Sequence, residues 1–213
     1  MEGCLGEDRA TINFNLLMLW WWPHQIFGLR NPLIATFISS KGINLSLSPN
    51  NEFLAIVASP LTALFGPKVT LVSIQLILTI IAGVGTYRLA RVLGATRMSL
   101  LGAGIFFEAI SIIPSSFAGH LDVAMISLFP LAAAEITAYL QGRLSSRRVT
   151  ISMSLFLIST GLTSIGVGVL ALLFIAGIFC VTALAYGKDA VARLRKVVIR
   201  FYFLLLLYSS LLI

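Results

Sequence analysis

The chain carries few side chains that could move protons or hold a phosphate group. Its 213 residues include 8 acidic residues, 2 histidines and 15 lysines and arginines. His24 and Arg30 could bind a phosphate group, because a guanidinium can hold a phosphate through two parallel hydrogen bonds. His120 and Asp122 stand two residues apart and could coordinate a divalent cation or a phosphate. Asp8 could act as a general base.

Each of these candidates has a simpler structural alternative. Asp8 could be an ordinary solvated acid near a chain end. His120 and Asp122 could only cap the mouth of a helix at a membrane boundary. His24 and Arg30 could anchor the chain at the membrane surface, where arginine commonly places its charge in water and its stem in lipid.

Two further acids, Glu108 and Glu135, lie inside apolar runs. A carboxylate in a membrane span is costly and marks a function or a charged partner. Glu135 stands about two helical turns before Arg143 and could reach the membrane surface. Glu108 has no such neighbour.

The three consecutive tryptophans Trp20, Trp21 and Trp22 precede Pro23 and the turn signal Asn31-Pro32. An indole has an apolar body and one N–H donor, which suits a membrane–water boundary. Proline interrupts helical hydrogen bonding. The pattern therefore predicts an interfacial aromatic block held between two breaks in regular structure.

The composition is typical of an integral membrane protein. Hydrophobic residues make up 58% and charged residues 11% of the chain, and mean hydropathy is +0.99. The net charge of +7 does not indicate nucleic-acid binding, because the basic residues fall in short clusters between apolar runs. The bilayer is therefore the first expected partner.

The apolar runs predict an all-α, polytopic helical bundle with a large external loop at its N-terminal side. Residues 1–68 contain no run of about 20 apolar residues, the length of a transmembrane helix. We expect this loop to carry interfacial helices near Ile12–Phe27 and Glu52–Phe65, the second broken at Ser59-Pro60. Transmembrane segments are predicted near 69–87, 98–114, 121–140, 149–163 and 165–187, with an incomplete one from 201.

The basic clusters predict which side of the membrane each loop occupies. Loops rich in Lys and Arg stay in the cytoplasm, and such clusters occur at 88–97, 143–148 and 188–200. The loops at 115–121 and 159–166 contain no basic residue and are expected outside, together with residues 1–68. Because no signal peptide opens the chain to carry this external segment across, the sequence predicts a fragment, or a misassigned start, of a longer cell-membrane protein.

An ordered set of short motifs covers most of residues 16 to 165. They are Trp22-Pro23-His24, Gly28–Leu33, Gly42–Leu45, Ser59–Pro67, Thr86–Arg91, Gly119-His120-Leu121, Phe129-Pro130-Leu131 and Leu157–Thr160. In this order the motifs resemble the GT-C type of polytopic prokaryotic glycosyltransferase, which uses polyprenyl-phosphate-linked sugars.

The resemblance implies an enzyme that passes a sugar from the carrier to an acceptor glycan or protein on the outer face. A carboxylate in the first external loop would serve as base toward the acceptor hydroxyl. Here the sequence departs from the family, because Thr11-Ile12-Asn13-Phe14-Asn15 stands where an aspartate is expected. Either Asp8 takes that role after a small shift, or the chain is inactive. No cofactor is predicted with certainty, and a divalent cation at His120 and Asp122 is the one candidate.

A transporter or flippase subunit is the competing hypothesis. In that case Glu108 and Glu135 would relay protons or ions, and the uncharged segment 149–187 would line a pathway. A purely structural membrane subunit is a third hypothesis, favoured if no acidic substitution has an effect.

Overall fold

The protein is described by a computed structural model, which covers residues 2–31, 34–35, 43–44, 52–107, 121–164 and 166–178, together with 180–181, 184–185, 192, 195 and 197. The predicted all-α class is confirmed. The helices are α1 Glu2–Phe27, α2 Glu52–Val57, α3 Ser59–Val92, α4 Arg97–Phe107, α5 Leu121–Ala124, a 3-10 helix Met125–Leu128, α6 Phe129–Leu140, α7 Ser146–Thr163 and α8 Gly166–Ile178.

A minimal antiparallel pair joins the strands β1 Ile34–Ala35 and β2 Ile43–Asn44. Ile34 lies opposite Asn44 in this pair. Each strand has two residues, fewer than the three to ten that globular proteins commonly use. Among the described residues, this pair lies between α1 and α2 in the chain and adds no second layer to the helices.

The long helix α3 presents an apolar face to its surroundings. Among the described helices it is the one that is long and apolar enough to cross a membrane. Its large hydrophobic side chains recur at helical spacing and are each at least half exposed, the reverse of a helix in the core of a soluble protein. They are Val69, Val72, Leu76, Ile80 and Val84. Hydrocarbon is the surrounding that suits this face.

A kink divides α3 close to the predicted start of the first transmembrane segment. Gly66 has φ 79° and ψ 166°, outside the helical region, and Pro67 follows it. Glycine adopts positive φ without a steric penalty, and proline lacks the N–H that a continuous helix would use. A proline also marks the boundary between α2 and α3, because Pro60 lies in the first turn of α3. The predicted break at Ser59-Pro60 is therefore present.

Helix α1 packs into the main core, although the sequence suggests a water-facing loop for this region. Met18, Leu19 and Trp22 are at most 4% exposed and share one hydrophobic cluster with Leu71 and Ile74 of α3. The buried positions of α1 follow a spacing of three and four residues. The helix therefore has one buried face, continuous with the core of the bundle.

The predicted transmembrane segment 121–140 contains three successive helical pieces. The 3-10 helix Met125–Leu128 separates α5 from α6, and Pro130 lies in the first turn of α6. Because proline has no N–H to donate, it fits a helix start better than a helix interior.

A second break follows α7. This helix ends at Thr163, and Ser164 is extended, with φ −161° and ψ 131°. This break falls inside the predicted bend at 159–166.

Two helix ends lie side by side and place arginines at one end of the bundle. After α3 and after α6 the chain turns at a glycine with positive φ, Gly94 and Gly142, the usual C-terminal motif of helices. The side-chain amide of Gln141 donates to the carbonyl of Val92 at 3.2 Å. We call this region the basic end. The arginines that the chain places there are Arg88, Arg91, Arg143, Arg147 and Arg148.

Glycines set the distance between neighbouring helices. A Cβ at Gly85 of α3 would come within 2.8 Å of the backbone nitrogen of Leu131 in α6, and one at Gly168 of α8 within 2.9 Å of Cα of Gly161 in α7. These separations leave no room for a side chain. Among the described glycines, Gly85 makes the closest approach to a neighbouring helix.

Candidate functional site

The C-terminal end of α1 carries an exposed group of polar and aromatic side chains. Trp20 and His24 stack with ring centroids 5.0 Å apart and an interplanar angle of 14°. They lie on the same helix face because they are four residues apart. Trp20 is 45% exposed, and His24 and Arg30 are exposed as well. We call Trp20, His24 and Arg30 the α1 surface.

The helix end folds Arg30 back against the last turn. The backbone N–H of Arg30 donates to the carbonyl of Gln25 at 2.9 Å, and that of Leu29 donates to the carbonyl of Ile26 at 3.1 Å. This is the hydrogen-bond pattern of a Schellman motif. Its left-handed position is occupied by Leu29, with φ 52°. The motif holds the backbone of Arg30 against that of Gln25, the residue that follows His24 in the chain.

Replacing Leu29 by glycine is expected to raise the free energy of unfolding by about 0.5–1 kcal/mol. A left-handed conformation costs an L-residue about 1–2 kcal/mol, and part of the gain is lost to the greater freedom of glycine in the unfolded chain. The side chain of Leu29 is 95% exposed, so its removal forfeits little packing. Denaturant titration in detergent measures the change.

Leu93 provides the matched control. It is also exposed and also follows a helix, but its φ is −76°. Leu93→Gly should therefore be neutral or lower the free energy of unfolding, by up to about 1 kcal/mol. Equal effects at Leu29 and Leu93 would show that the left-handed backbone carries no strain.

Two of the three tryptophans are buried, which differs from the predicted interfacial block. Trp21 and Trp22 are each 4% exposed and belong to the main core, and the Nε1 of Trp22 has no hydrogen-bond partner. Consecutive residues on a helix point about 100° apart, so Trp20 alone turns outward. Pro23 also does not break the helix, since α1 continues to Phe27.

The predicted base Asp8 stands far from the α1 surface. It lies on the same helix as His24, sixteen residues earlier, a separation of about 24 Å at 1.5 Å per residue. One small substrate group cannot contact both positions. The two predicted parts of the site, the base and the phosphate-binding residues, therefore do not come together on α1.

Asp122 belongs to an element that shares the core with the tryptophans. It lies on α5, where Leu121 and Ala124 are fully buried and belong to the same hydrophobic cluster as Trp21 and Trp22. His120 and Glu108 lie outside the described residues. Among those that are described, no group of three His, Cys, Asp or Glu side chains is placed to hold a metal ion.

Glu135 forms a charged cluster that the sequence prediction did not contain. Its Oε1 accepts a hydrogen bond from Nη2 of Arg148 at 3.2 Å and lies 3.7 Å from Nη1 of Arg88. The residue is 8% exposed, and the two arginine side chains are about half exposed. We call these three residues the Glu135 cluster. The three residues lie on separate helices and far apart in the sequence. The sequence therefore predicted that a buried acid is costly, but not which cations it contacts.

Local structure places each member of the cluster. Arg88 lies one turn before the end of α3 and Glu135 lies on α6, which touches α3 at Gly85 and Leu131. Ser145 caps α7 by accepting a hydrogen bond from the backbone N–H of Arg148 at 3.4 Å. A serine in this position satisfies a free N–H of the first turn, so the start of α7 and the position of Arg148 are set together.

No family model, curated protein or solved structure matches this chain.

Proposed function

We propose that the protein is a polytopic membrane protein that transfers a sugar from a polyprenyl-phosphate carrier to an acceptor at the membrane face where the α1 surface lies. The observation that carries the proposal is the exposed Trp20–His24 stack, with the exposed Arg30 six residues beyond His24 at the same helix end. An exposed indole offers a flat apolar platform to a sugar ring, and the guanidinium of Arg30 can hold the carrier phosphate through two hydrogen bonds.

The position of the α1 surface supports an outward-facing site. The tryptophan block shares its core with Leu71 and Ile74, in the first half of α3. Arg88 of the basic end lies fourteen residues beyond Ile74, or about 21 Å along the helix axis. Loops rich in arginine remain cytoplasmic, so the opposite end of the bundle would face outward.

The proposed reaction needs a base and a cationic group that stabilises the negative charge of the leaving group. The base takes the proton of the acceptor hydroxyl, the acceptor oxygen forms a bond to the anomeric carbon, and the bond from that carbon to the phosphate oxygen breaks. Arg30 stabilises the negative charge on the departing polyprenyl phosphate. We assign the base to Asp122 in preference to Asp8, because Asp8 stands about 24 Å from His24 along α1.

The geometry gives less support to a proton-coupled carrier. That hypothesis depends on Glu108 and Glu135. The carboxylate of Glu135 has two arginine neighbours, and an ion pair accounts for a buried acid without any transport role. A multi-pass transferase therefore remains the better-supported proposal.

The test is sugar transfer by the protein reconstituted in lipid vesicles, with a radiolabelled polyprenyl-phosphate sugar as donor. Arg30→Gln is expected to reduce transfer by about 10²-fold or more, because it removes a charge that stabilises the transition state. Asp122→Asn should reduce transfer by a similar factor, about 10²-fold. Asp8→Asn should leave it within about twofold, since that change falls below 0.5 kcal/mol.

Arg91→Gln is the matched control, because Arg91 is an exposed arginine at the basic end. It should not change the rate. Loss of activity in Asp8→Asn, with full activity in Asp122→Asn, would overturn the assignment of the base. Absence of transfer by the unaltered protein with every polyprenyl-phosphate sugar tried would overturn the proposed function itself.

A further inference from the structure

An apolar cavity of about 580 Å³ runs between α2, α3, the 3-10 helix, α6 and α7. Its walls are aliphatic and aromatic, and it follows α3 from Ile77 to Arg88, a length of about 16 Å. Ile77 and Leu155 line it and are 52% and 63% exposed. The cavity is therefore open along the apolar side of the bundle, where a hydrocarbon chain could enter from the bilayer.

The cavity ends at two charged groups of opposite sign. Arg88 and Glu135 are both in its lining, and Arg148 approaches Glu135 from outside it. The two arginines do not hold the carboxylate equally. Arg148 is at hydrogen-bond distance, 3.2 Å, whereas the closest approach of Arg88 is 3.7 Å. Arg148 therefore positions the carboxylate, and Arg88 keeps its hydrogen-bonding capacity for another anion.

The carboxylate has one oxygen without a partner. Both arginines approach Oε1 of Glu135, while Oε2 is buried and accepts no hydrogen bond. A buried ionised oxygen in this state is costly, and a donor supplied by a ligand would remove that cost. The cavity end therefore offers a cation for an anionic group and, next to it, an acceptor for a positively charged donor.

We infer that this cavity binds a membrane phospholipid with an ethanolamine headgroup. The phosphate lies on Arg88, the ammonium group donates to the carboxylate of Glu135, and one acyl chain occupies the apolar cavity. Charge complementarity selects this occupant, because the headgroup carries an anion and a hydrogen-bonding cation close together. A choline headgroup has the same net charge but no N–H to donate. The site lies at the basic end, and the inference does not depend on the proposed sugar transfer.

The test is a comparison of lipids bound to the purified full chain. The protein is delipidated in detergent, mixed separately with phosphatidylethanolamine, phosphatidylcholine or phosphatidylglycerol of identical acyl chains, and examined by native mass spectrometry. Phosphatidylethanolamine is expected to bind about tenfold more tightly than phosphatidylcholine, since the two differ by a charge-assisted hydrogen bond. Stepwise N-methylation of the headgroup should weaken binding most at the last step, when the final N–H is lost.

Variants of the protein test the ammonium contact and the phosphate contact separately. Glu135→Gln should reduce the preference for phosphatidylethanolamine over phosphatidylcholine to about twofold or less, because it removes the charge that the ammonium group meets. Arg88→Gln should weaken all three phospholipids by about tenfold or more. Arg147→Gln is the matched control, since Arg147 is exposed on α7 next to Arg148 and is not in the cavity lining.

The lipid series on the unaltered protein decides the question even if a variant does not fold. Equal binding of the ethanolamine and choline lipids would overturn the inference. Tighter binding of phosphatidylglycerol than of phosphatidylethanolamine would overturn it too, and would point to a site for anionic lipids on Arg88. An unchanged ethanolamine preference in Glu135→Gln would show that the preference arises elsewhere on the chain.

Discussion

Replacing Gly85 by alanine should lower the free energy of unfolding by about 1–3 kcal/mol, the usual cost of adding an atom to a filled core. The added Cβ would lie 2.8 Å from the backbone nitrogen of Leu131 and 3.2 Å from its Cα. A flexible side chain could move aside, but the backbone of α6 cannot move without shifting the helix. The change therefore separates α3 from α6 where their contact positions Arg88 next to Glu135.

Gly102 on α4 is the matched control for Gly85. A Cβ there meets no atom within 4 Å, and alanine is a better helix former than glycine by about 0.5–1 kcal/mol. Gly102→Ala should therefore be neutral or slightly stabilising. Unfolding by sodium dodecyl sulfate titration, followed by tryptophan fluorescence, compares the two. If Gly85→Ala were as stable as Gly102→Ala, the close approach of α3 and α6 would be wrong.

Removing both arginines of the Glu135 cluster should be the most damaging change at the basic end. Arg88→Met with Arg148→Met keeps most of the side-chain volume but leaves the carboxylate of Glu135, which is 8% exposed, without a cation. An unpaired buried charge costs about 3–5 kcal/mol. The double variant should therefore lose about that amount of unfolding free energy in the same titration.

A third substitution tests whether the lost stability comes from the charge. Adding Glu135→Leu to the double variant removes the unpaired carboxylate, and replacing a complete buried ion pair by apolar residues is often neutral. Most of the loss should be recovered. Arg91→Met with Arg147→Met removes two exposed arginines from the same end and should cost less than about 1 kcal/mol. If the triple variant stayed as unstable as the double one, the arginines would act through packing instead.

Local residue chemistry accounts for the class of the fold and for many of its boundaries. Apolar runs predict helices. Helix boundaries are predicted at Ser59-Pro60 and in the Ser/Thr-rich stretch before Gly166, and the structure has a helix boundary at both places. The kink at Gly66 also lies beside the predicted start of the first transmembrane segment. These features depend on residues within one or two turns of each other, so they can be read along the chain.

Long-range packing accounts for what local patterns missed. Trp20, Trp21 and Trp22 are chemically identical, yet the orientation of α1 on the bundle exposes the first and buries the other two. Glu135 meets Arg88 and Arg148 because three helices converge, and that convergence depends on a glycine at position 85. Residues far apart in sequence meet when helix faces fit together, and this fit is a property of whole surfaces. A residue's own type and spacing therefore predict that a buried acid needs a partner, whereas the packing of α3, α6 and α7 selects which partner it has.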